Sequence, residues 1–154
     1  MRARDLAAEV PTVTPETNAL AAARLLSRHK LPGLIVVDPD GRPFTVLPGS
    51  QVLRYVVPRY VQDDPALARV YDEKASDELC GSLTTSTVAD LLPTKQDLDE
   101  LPIVDHDATT IEVAAVMARM HSPLVAVVDD SGALLGGITV SALLAHLLDP
   151  GTAR

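Results

Sequence analysis

Apolar residues along the chain follow two spacings, and each spacing predicts one kind of element. Two short runs, Leu34–Val37 and Val125–Val128, are apolar at every position, as in strands that are covered on both faces. Before each run, apolar residues recur every three or four positions, which predicts a helix with one buried face. These helical stripes contain Leu20, Ala23 and Leu26 before the first run, and Ile111, Ala114, Met117 and Met120 before the second.

The whole pattern occurs twice, without a gap. Residues Val10–Val56 align with Leu101–Leu147 at a constant offset of 91 positions, so that Pro11 pairs with Pro102. Further identical pairs include Val13/Val104, Pro32/Pro123, Asp38/Asp129, Gly41/Gly132, Ser50/Ser141 and Leu53/Leu144. Two copies of one unit are expected to pack face to face, which places a ligand site in the cleft between them.

Each copy reads as strand, helix, strand, strand and helix. An Asp-x-x-Gly turn separates the second and third strands, and it suits a tight hairpin. Thr109 and Glu112 fit a capping box at the start of the second copy's first helix, and Thr17 or Asn18 is the matching cap in the first copy. The remaining predicted elements are the strands Pro11–Thr14, Pro102–Asp105, Pro43–Leu47 and Leu134–Thr139, and closing helices from about Ser50 to Val57 and Ser141 to Leu148. We therefore predict an α/β (α+β) fold of two βαββα repeats related by pseudo-two-fold symmetry.

The predicted domain organisation is one compact module with three parts. Repeat 1 covers residues 1–57, a helical linker covers 58–86, and repeat 2 covers 87–154. Within the linker, Pro65–Tyr71 and Ala75–Leu83 are expected to be helical, because acidic residues mark their starts. Cys80 is expected to be a half-buried apolar residue on the second of these helices. The acidic stretch Leu92–Glu100 is expected to be a solvated loop.

Composition excludes several classes of protein. The net charge is −8, with 47% hydrophobic and 22% charged residues, so a folded globule is expected and binding to nucleic acid as a polymer is not. The single cysteine permits neither an internal disulfide nor a cysteine-rich metal site. A secretory signal and a run of ~20 apolar residues are both missing from the sequence, so we expect a cytoplasmic protein without membrane insertion.

Residues that would carry catalysis or bind a metal are not arranged in a known pattern. The chain has no G-x-S-x-G, Walker or G-x-G-x-x-G motif, and no H-x-x-x-H or H-E-x-x-H spacing; we therefore expect neither an enzyme nor a metal site. The triplet Asp105-His106-Asp107 is either a weak cation site or, as we favour, a solvated turn. His29 and His121 fall near the C-termini of the two first helices, where a cation is favourable.

The order of elements, with V-V-D-x-x-G at Val36–Gly41 and Val127–Gly132, resembles a tandem pair of CBS (cystathionine-β-synthase-type) domains. The resemblance covers nearly the whole chain except the linker, and includes the Asp5-Leu6 and Asp90-Leu91 pairs that precede the repeats. It implies a ligand-sensing or regulatory module that commonly binds adenosine nucleotides between the two domains and often forms a disc-shaped dimer.

The resemblance also implies where a nucleotide would bind. In the family, a T/S-x-x-D stretch follows the third strand; its Thr or Ser reaches phosphate at a helix N-terminus, and its Asp accepts hydrogen bonds from the ribose hydroxyls. The matching stretches here are Pro48–Gln51 and Thr139–Ala142, so Gln51 and Ala142 replace the ribose aspartate. Losing that carboxylate would cost ~1.5–3 kcal/mol per site.

Twelve residues are predicted to contact a ligand on this basis. For Thr139, Ser141 and Ser50 the alternative is helix capping alone. For the residues of the second strands and the prolines before them, the alternative is an ordinary core position. The candidates are Thr12, Pro32, Leu34, Ile35, Ser50, Gln51, Ile103, Pro123, Val125, Ala126, Thr139 and Ser141.

These residues support a non-enzymatic regulatory module, with AMP, ADP or ATP as candidate ligands and no obligatory cofactor. We expect a homodimer that controls a separate enzyme or transporter. The alternative is a dimerisation or scaffold protein with a degenerate nucleotide site, which the loss of aspartate at Gln51 and Ala142 favours. A third option is a different ligand, such as a metal ion or an S-adenosyl compound.

Overall fold

The computed structural model describes residues 1–92 and 101–149. The first βαββα unit is repeat 1, and a short helix precedes it. Its elements are α1 (Ala3–Leu6), β1 (Thr12–Val13), α2 (Ala19–His29), β2 (Gly33–Val37), β3 (Pro43–Pro48) and α3 (Gly49–Val56). The linker that follows contains α4 (Arg59–Asp63), a 3₁₀ turn (Pro65–Val70), α5 (Glu73–Gly81) and a second 3₁₀ turn (Ser82–Thr85). Most of the predicted acidic loop, and the last five residues, lie outside the described residues.

Repeat 2 has the same order of elements. They are the preceding helix α6 (Val88–Leu91), β4 (Ile103–Asp105), α7 (Thr110–Met120), β5 (Leu124–Val128), β6 (Leu134–Thr139) and α8 (Val140–Leu148). Each repeat forms a three-stranded sheet in which the central strand pairs in parallel with the first and antiparallel with the third. The predicted α/β fold of two related repeats is confirmed.

Local sequence explains where the first helix of each repeat begins and ends. The Asn18 side chain accepts a hydrogen bond from the Ala21 amide, and Thr109 Oγ1 accepts one from the Glu112 amide, so both N-termini are capped. At the other end, Lys30 and His121 adopt the left-handed conformation, with φ of 52° and 51°. This turn ends the helix and directs the chain into Pro32 or Pro123, which lead into the central strands.

Each of the short helices that precede the repeats packs against the other repeat, so that α1 and α6 are exchanged. The N-terminal α1 packs on repeat 2, where the Ala3 amide donates to the Ala108 carbonyl. Helix α6, which precedes repeat 2, packs on repeat 1. There the Val88 amide donates to the Thr17 carbonyl, and the Val88 side chain is completely buried. Each repeat is therefore completed by a helix that precedes the other repeat in sequence.

Three clusters of buried residues hold the molecule together. One lies inside repeat 1 and includes residues of α6, and a second lies inside repeat 2 and includes Ala3 of α1. The third joins the two sheets and consists of Ile35, Val37, Val46, Leu124 and Ala126. At pseudo-equivalent positions repeat 1 has Ile35 and Val46 where repeat 2 has Ala126 and Gly137, so large side chains from one sheet face small ones from the other.

The predicted helical segment Pro65–Tyr71 is a 3₁₀ helix over Pro65–Val70. The linker differs from the expectation in two respects. Helix α4 was not predicted, because it is a single turn after Pro58 with one buried side chain, Val61. Cys80 is exposed, so the expectation that it is half-buried is wrong; α5 lies on the surface and buries none of its side chains fully. None of the described helices is long and apolar enough to cross a bilayer.

Candidate functional site

A groove between the two repeats brings together four of the predicted site residues. It encloses about 450 Å³ and is lined by Lys30, Leu31 and Pro32 from repeat 1 and by Pro123, Thr139, Val140, Ser141 and Leu144 from repeat 2. We call it the Lys30–Thr139 groove. The cleft between the repeats, where the sequence predicts a ligand site, therefore contains a cavity.

The two prolines fix the backbone at this groove. The Pro123 carbonyl accepts a hydrogen bond from the Val140 amide, the first residue of α8, at 3.1 Å. The Pro32 carbonyl accepts one from Gly49, the first residue of α3, at 3.0 Å. Each closing helix therefore begins against the proline of its own repeat, which holds the N-terminus of α8 at the groove.

Thr139 is the N-cap of α8, which agrees with the capping role that the sequence analysis gave as the alternative to ligand contact. Its Oγ1 accepts a hydrogen bond from the Ala142 amide at 3.2 Å and lies 3.2 Å from Ser141 Oγ. Both hydroxyls stand at a helix N-terminus, where the first-turn amides carry partial positive charge. Lys30, contributed by the other repeat, lines the same groove and adds a basic residue to it. This combination suits an anionic group such as a phosphate.

The matching position in repeat 1 lacks this chemistry. Pro48 occupies the N-cap of α3 and makes no side-chain hydrogen bond to the helix. Ser50 is exposed and Gln51 is half-buried. The two halves of the module are thus unequal, because the capping hydroxyl is present only in repeat 2.

The predicted base-lining residues of the central strands are inside the protein. Leu34, Ile35, Val125 and Ala126 have no exposed surface. Leu34 and Val125 belong to the cores of their own repeats, whereas Ile35 and Ala126 belong to the cluster that joins the sheets. Thr12 on β1 is exposed and pairs with Ile35, and Ile103 on β4 is half-buried and pairs with Ala126. That these residues contact a ligand stays a prediction.

Sequence reasoning missed Lys30, Leu31, Val140 and Leu144 as residues of the groove. Pro32 marks the end of α2 in the sequence, but nothing in the sequence indicates that Lys30 approaches the other repeat. That approach depends on how the two sheets pack, through the large and small side chains of the joining cluster. No periodicity within one repeat carries that information.

A second group of polar residues surrounds His106. Its Nε2 lies 3.0 Å from Asp130 Oδ1, and its Nδ1 lies 3.4 Å from Asp107 Oδ1. The hydrogen bond to Asp130 raises the pKa of His106 above its usual value, with further support from the charges of Asp107, Asp105 and Asp130 and with partial burial acting in the opposite direction. The Arg4 side chain of α1 also pairs with Asp107.

The His106 group has a structural explanation. The His106 carbonyl accepts a hydrogen bond from the Arg4 amide at 3.0 Å, so the same turn holds α1 through its backbone and its side chains. Both ring nitrogens face carboxylates, and the ring bridges the turn after β4 and the hairpin between β5 and β6. This arrangement attaches α1 to repeat 2.

Comparisons with known proteins agree with the repeat structure. The model of the CBS domain matches residues 3–56 and 88–149. A crystal structure of a CBS domain-containing protein of unknown function from Kribbella flavida is 49% identical, with a TM-score of 0.78 over 96% of this chain and 99% of that chain. No curated protein matches the chain.

More distant solved structures share the fold. CBSX2 from Arabidopsis thaliana is 18% identical, with a TM-score of 0.73 over 97% of this chain and 95% of that chain. A structure of CBSX2 in complex with AMP is 20% identical, with a TM-score of 0.67 over 97% of each chain. At these identities the likeness shows the fold alone. With the family model matching both repeats and a relative at 49% identity, the chain belongs to the CBS domain family, as a tandem pair.

Proposed function

We propose that this CBS pair is a non-enzymatic regulatory module that senses an adenosine nucleotide, or a related anionic ligand, in the Lys30–Thr139 groove. The observation that carries the proposal is the meeting of Lys30 from one repeat with the N-terminus of α8 from the other. A ligand held by both would change the angle between the repeats. A separate enzyme or transporter bound to the module responds to such a change only as far as its affinity differs between the two states.

AMP, ADP and ATP are the candidate ligands. The complex of CBSX2 with AMP supports an adenosine nucleotide within this fold. The basic lining of the groove supports an anion, whereas Ala142 offers no acceptor for a ribose. We therefore expect the phosphate to contribute more to the binding free energy than the ribose does, and affinity to rise from AMP to ATP.

Thermal unfolding with each nucleotide tests this proposal. A ligand present at 100 times its Kd raises the free energy of unfolding by ~2.7 kcal/mol, which corresponds to several degrees in Tm for a chain of this size. If AMP, ADP and ATP all leave Tm unchanged at millimolar concentration, the proposal that the module senses one of these nucleotides is wrong.

The variant Lys30→Gln tests whether the nucleotide binds in the Lys30–Thr139 groove. We expect at least a tenfold loss of nucleotide affinity by calorimetry, because one charge-assisted contact to phosphate is removed. Lys74→Gln, on the exposed linker helix α5, is the matched control for the loss of one lysine charge. Equal affinities for the two variants would place the ligand elsewhere.

The second candidate is a dimeric scaffold with a degenerate nucleotide site. Gln51 and Ala142 at the two ribose positions favour it, as does the apolar surface of α8, where Leu148 is 75% exposed. In this candidate the homodimer is the functional unit and the groove binds no nucleotide. Homodimerisation is common to both candidates.

A further inference from the structure

The polar residues of the Lys30–Thr139 groove favour an anion over a sugar. Among the described residues that line it, none is Asp or Glu, and Lys30, Thr139 and Ser141 are the only ones with a polar side chain. A lysine can only donate hydrogen bonds, and the Thr139 hydroxyl oxygen already accepts one from the Ala142 amide. The two hydroxyls of a ribose need acceptors, for which a carboxylate is best suited. The groove therefore offers donors to an anion and no carboxylate to a sugar.

The backbone of the groove gives a nucleobase little to bind. The two prolines, Pro32 and Pro123, have no N–H group. The Leu31 amide donates to the Leu26 carbonyl at 3.0 Å, and the Val140 amide donates to the Pro123 carbonyl at 3.1 Å. An adenine is distinguished from a guanine by the donors and acceptors on its edge, and these four lining residues leave no N–H group free to read that edge. Their apolar side chains can contact the flat face of any base.

The space between the two sheets is already filled. Ile35 and its counterpart Ala126 have no exposed surface and belong to the cluster that joins the sheets. A Cβ added to Gly137 would lie 3.2 Å from Ile35 Cδ1 and 3.1 Å from Leu124 Cδ1. Since a single methyl group would already be tightly packed there, a base cannot enter between sheets that are packed in this way. A base attached to a phosphate in the groove would lie against the apolar walls or in solvent.

We propose that the Lys30–Thr139 groove recognises a chain of phosphate groups, and that the sugar and the base attached to it contribute little to selection. The inference rests on the proposed function for its site and names the class of ligand: a condensed phosphate, either free or as the triphosphate of any nucleoside. A chain with a net charge of −8 repels anions over most of its surface. In the groove an anion can approach a lysine and a helix N-terminus without meeting a carboxylate of the described lining.

Calorimetry of the full chain with four ligands tests the proposal. The ligands are tripolyphosphate, ATP, 2′-deoxy-ATP and GTP, measured without Mg²⁺ so that each keeps its full negative charge. We expect the Kd values of the three nucleotides to agree within about fivefold, because no contact to the sugar or to the base edge is lost. Tripolyphosphate should bind no more than about tenfold more weakly than ATP. A larger difference among the nucleotides, or a weaker affinity for tripolyphosphate, would overturn the proposal.

Two matched substitutions test whether the phosphates bind at the start of α8. Thr139→Val removes the N-cap hydroxyl of α8, and Thr109→Val removes that of α7, which accepts from the Glu112 amide at 3.1 Å. Both variants lose the same kind of cap, so their losses of Tm should be similar. We expect Thr139→Val alone to weaken the binding of tripolyphosphate and of ATP, each by about tenfold or more. Equal affinities of the two variants for tripolyphosphate would contradict the proposal.

The four ligands also distinguish failure of this proposal from failure of the proposed function. A clear preference for ATP over both 2′-deoxy-ATP and GTP would leave an adenosine sensor in place and refute recognition through the phosphates alone. Binding of tripolyphosphate without binding of any nucleotide would refute adenosine sensing and identify free condensed phosphate as the source of the ligand. Binding of none of the four would refute both.

Discussion

Ala8 and Gly137 exchange two backbone hydrogen bonds: each amide donates to the carbonyl of the other residue, at 2.9 Å in both directions. The chain between α1 and β1 is thereby paired with β6 of the other repeat. Two consecutive glycines in β6 permit this approach, because a Cβ on Gly136 would lie 2.7 Å from the Ala8 carbonyl oxygen. The glycine pair that interrupts the apolar third strand thus marks a close backbone contact.

Gly136→Ala should therefore lower the free energy of unfolding. The added methyl group would meet backbone atoms that cannot rotate away, and we expect a loss of roughly 1–3 kcal/mol. Urea unfolding followed by circular dichroism measures it. The control is Gly81→Ala, because Gly81 has an ordinary helical φ of −59° and open space around it; that variant should gain about 0.4–1 kcal/mol. Equal effects of the two substitutions would contradict the close contact at Ala8.

The second prediction concerns the packing of the two sheets. A Cβ on Gly137 would lie 3.2 Å from Ile35 Cδ1, with Leu124 and Val10 atoms at 3.1 Å. Gly137→Ala alone should destabilise the protein, and Ile35→Val, which removes the Cδ1 atom, should cost about 0.5–1.5 kcal/mol alone. In the double variant the valine makes room for the alanine, so the combined loss should be smaller than the sum of the two by ~0.5 kcal/mol or more.

A double-mutant cycle in urea supplies the measurement. Additive losses would mean that Ile35 and Gly137 act independently, and would contradict contact between the large residue of one sheet and the small residue of the other. Ile138→Val with Gly137→Ala is a control, since Ile138 is fully buried in the core of repeat 2 rather than in the joining cluster.

The third prediction is a pH dependence of stability that comes from His106. The pKa of this group is raised in the folded protein, chiefly by the hydrogen bond to Asp130. Its contribution is fully present below the unfolded value of about 6.5 and is lost as the pH rises through the higher folded pKa. His106→Asn removes the titration, so its Tm should change less than that of the wild type as the pH rises above about 6.5. The ring proton, followed by NMR, should titrate above the usual value.

Asp130 provides the comparison for this pH effect. Its Oδ1 lies 3.0 Å from His106 Nε2, so Asp130→Asn, which removes that carboxylate, should reduce the pH dependence of Tm in the same direction as His106→Asn. A wild-type pH dependence in either variant would contradict the assignment to His106.

The fourth prediction concerns the bond between α3 and the linker. Ser86 is almost completely buried and its Oγ donates to the Ser82 carbonyl at 2.8 Å, while the Tyr55 hydroxyl lies 2.7 Å from the same Oγ. Tyr55→Phe should cost about 0.5–1.5 kcal/mol. Tyr60→Phe removes the hydroxyl of an exposed tyrosine, which bonds only to Tyr71 in the described chain, and should have a smaller effect on urea unfolding.

Elements that depend on local pattern could be predicted from the sequence. The caps at Asn18 and Thr109, the central strands and both hairpins follow from residues within a few positions of one another. Helix α4 and the exchange of α1 and α6 could not, because a helix of four or five residues has too few turns to show a periodicity. Which core completes such a helix is decided by contacts with residues distant in sequence.

The same division applies to the candidate site. Pro32, Pro123, Thr139 and Ser141 were found from their positions in the repeat, and the structure brings them to one groove. Lys30 became part of that groove only through the packing of the two repeats. Leu34 and Val125 are completely buried because they belong to the cores of their own repeats, which is the alternative that the sequence analysis gave for them.

The exchanged helices α1 and α6 determine how the protein unfolds. Since Ala3 is buried in repeat 2 and Val88 in repeat 1, loosening either repeat exposes apolar surface that belongs to the other. The two repeats should consequently melt in one cooperative transition, despite their separate sheets. A chain cut in the linker would yield two fragments that each lack a piece of their own core, and these fragments should recover native structure only when mixed.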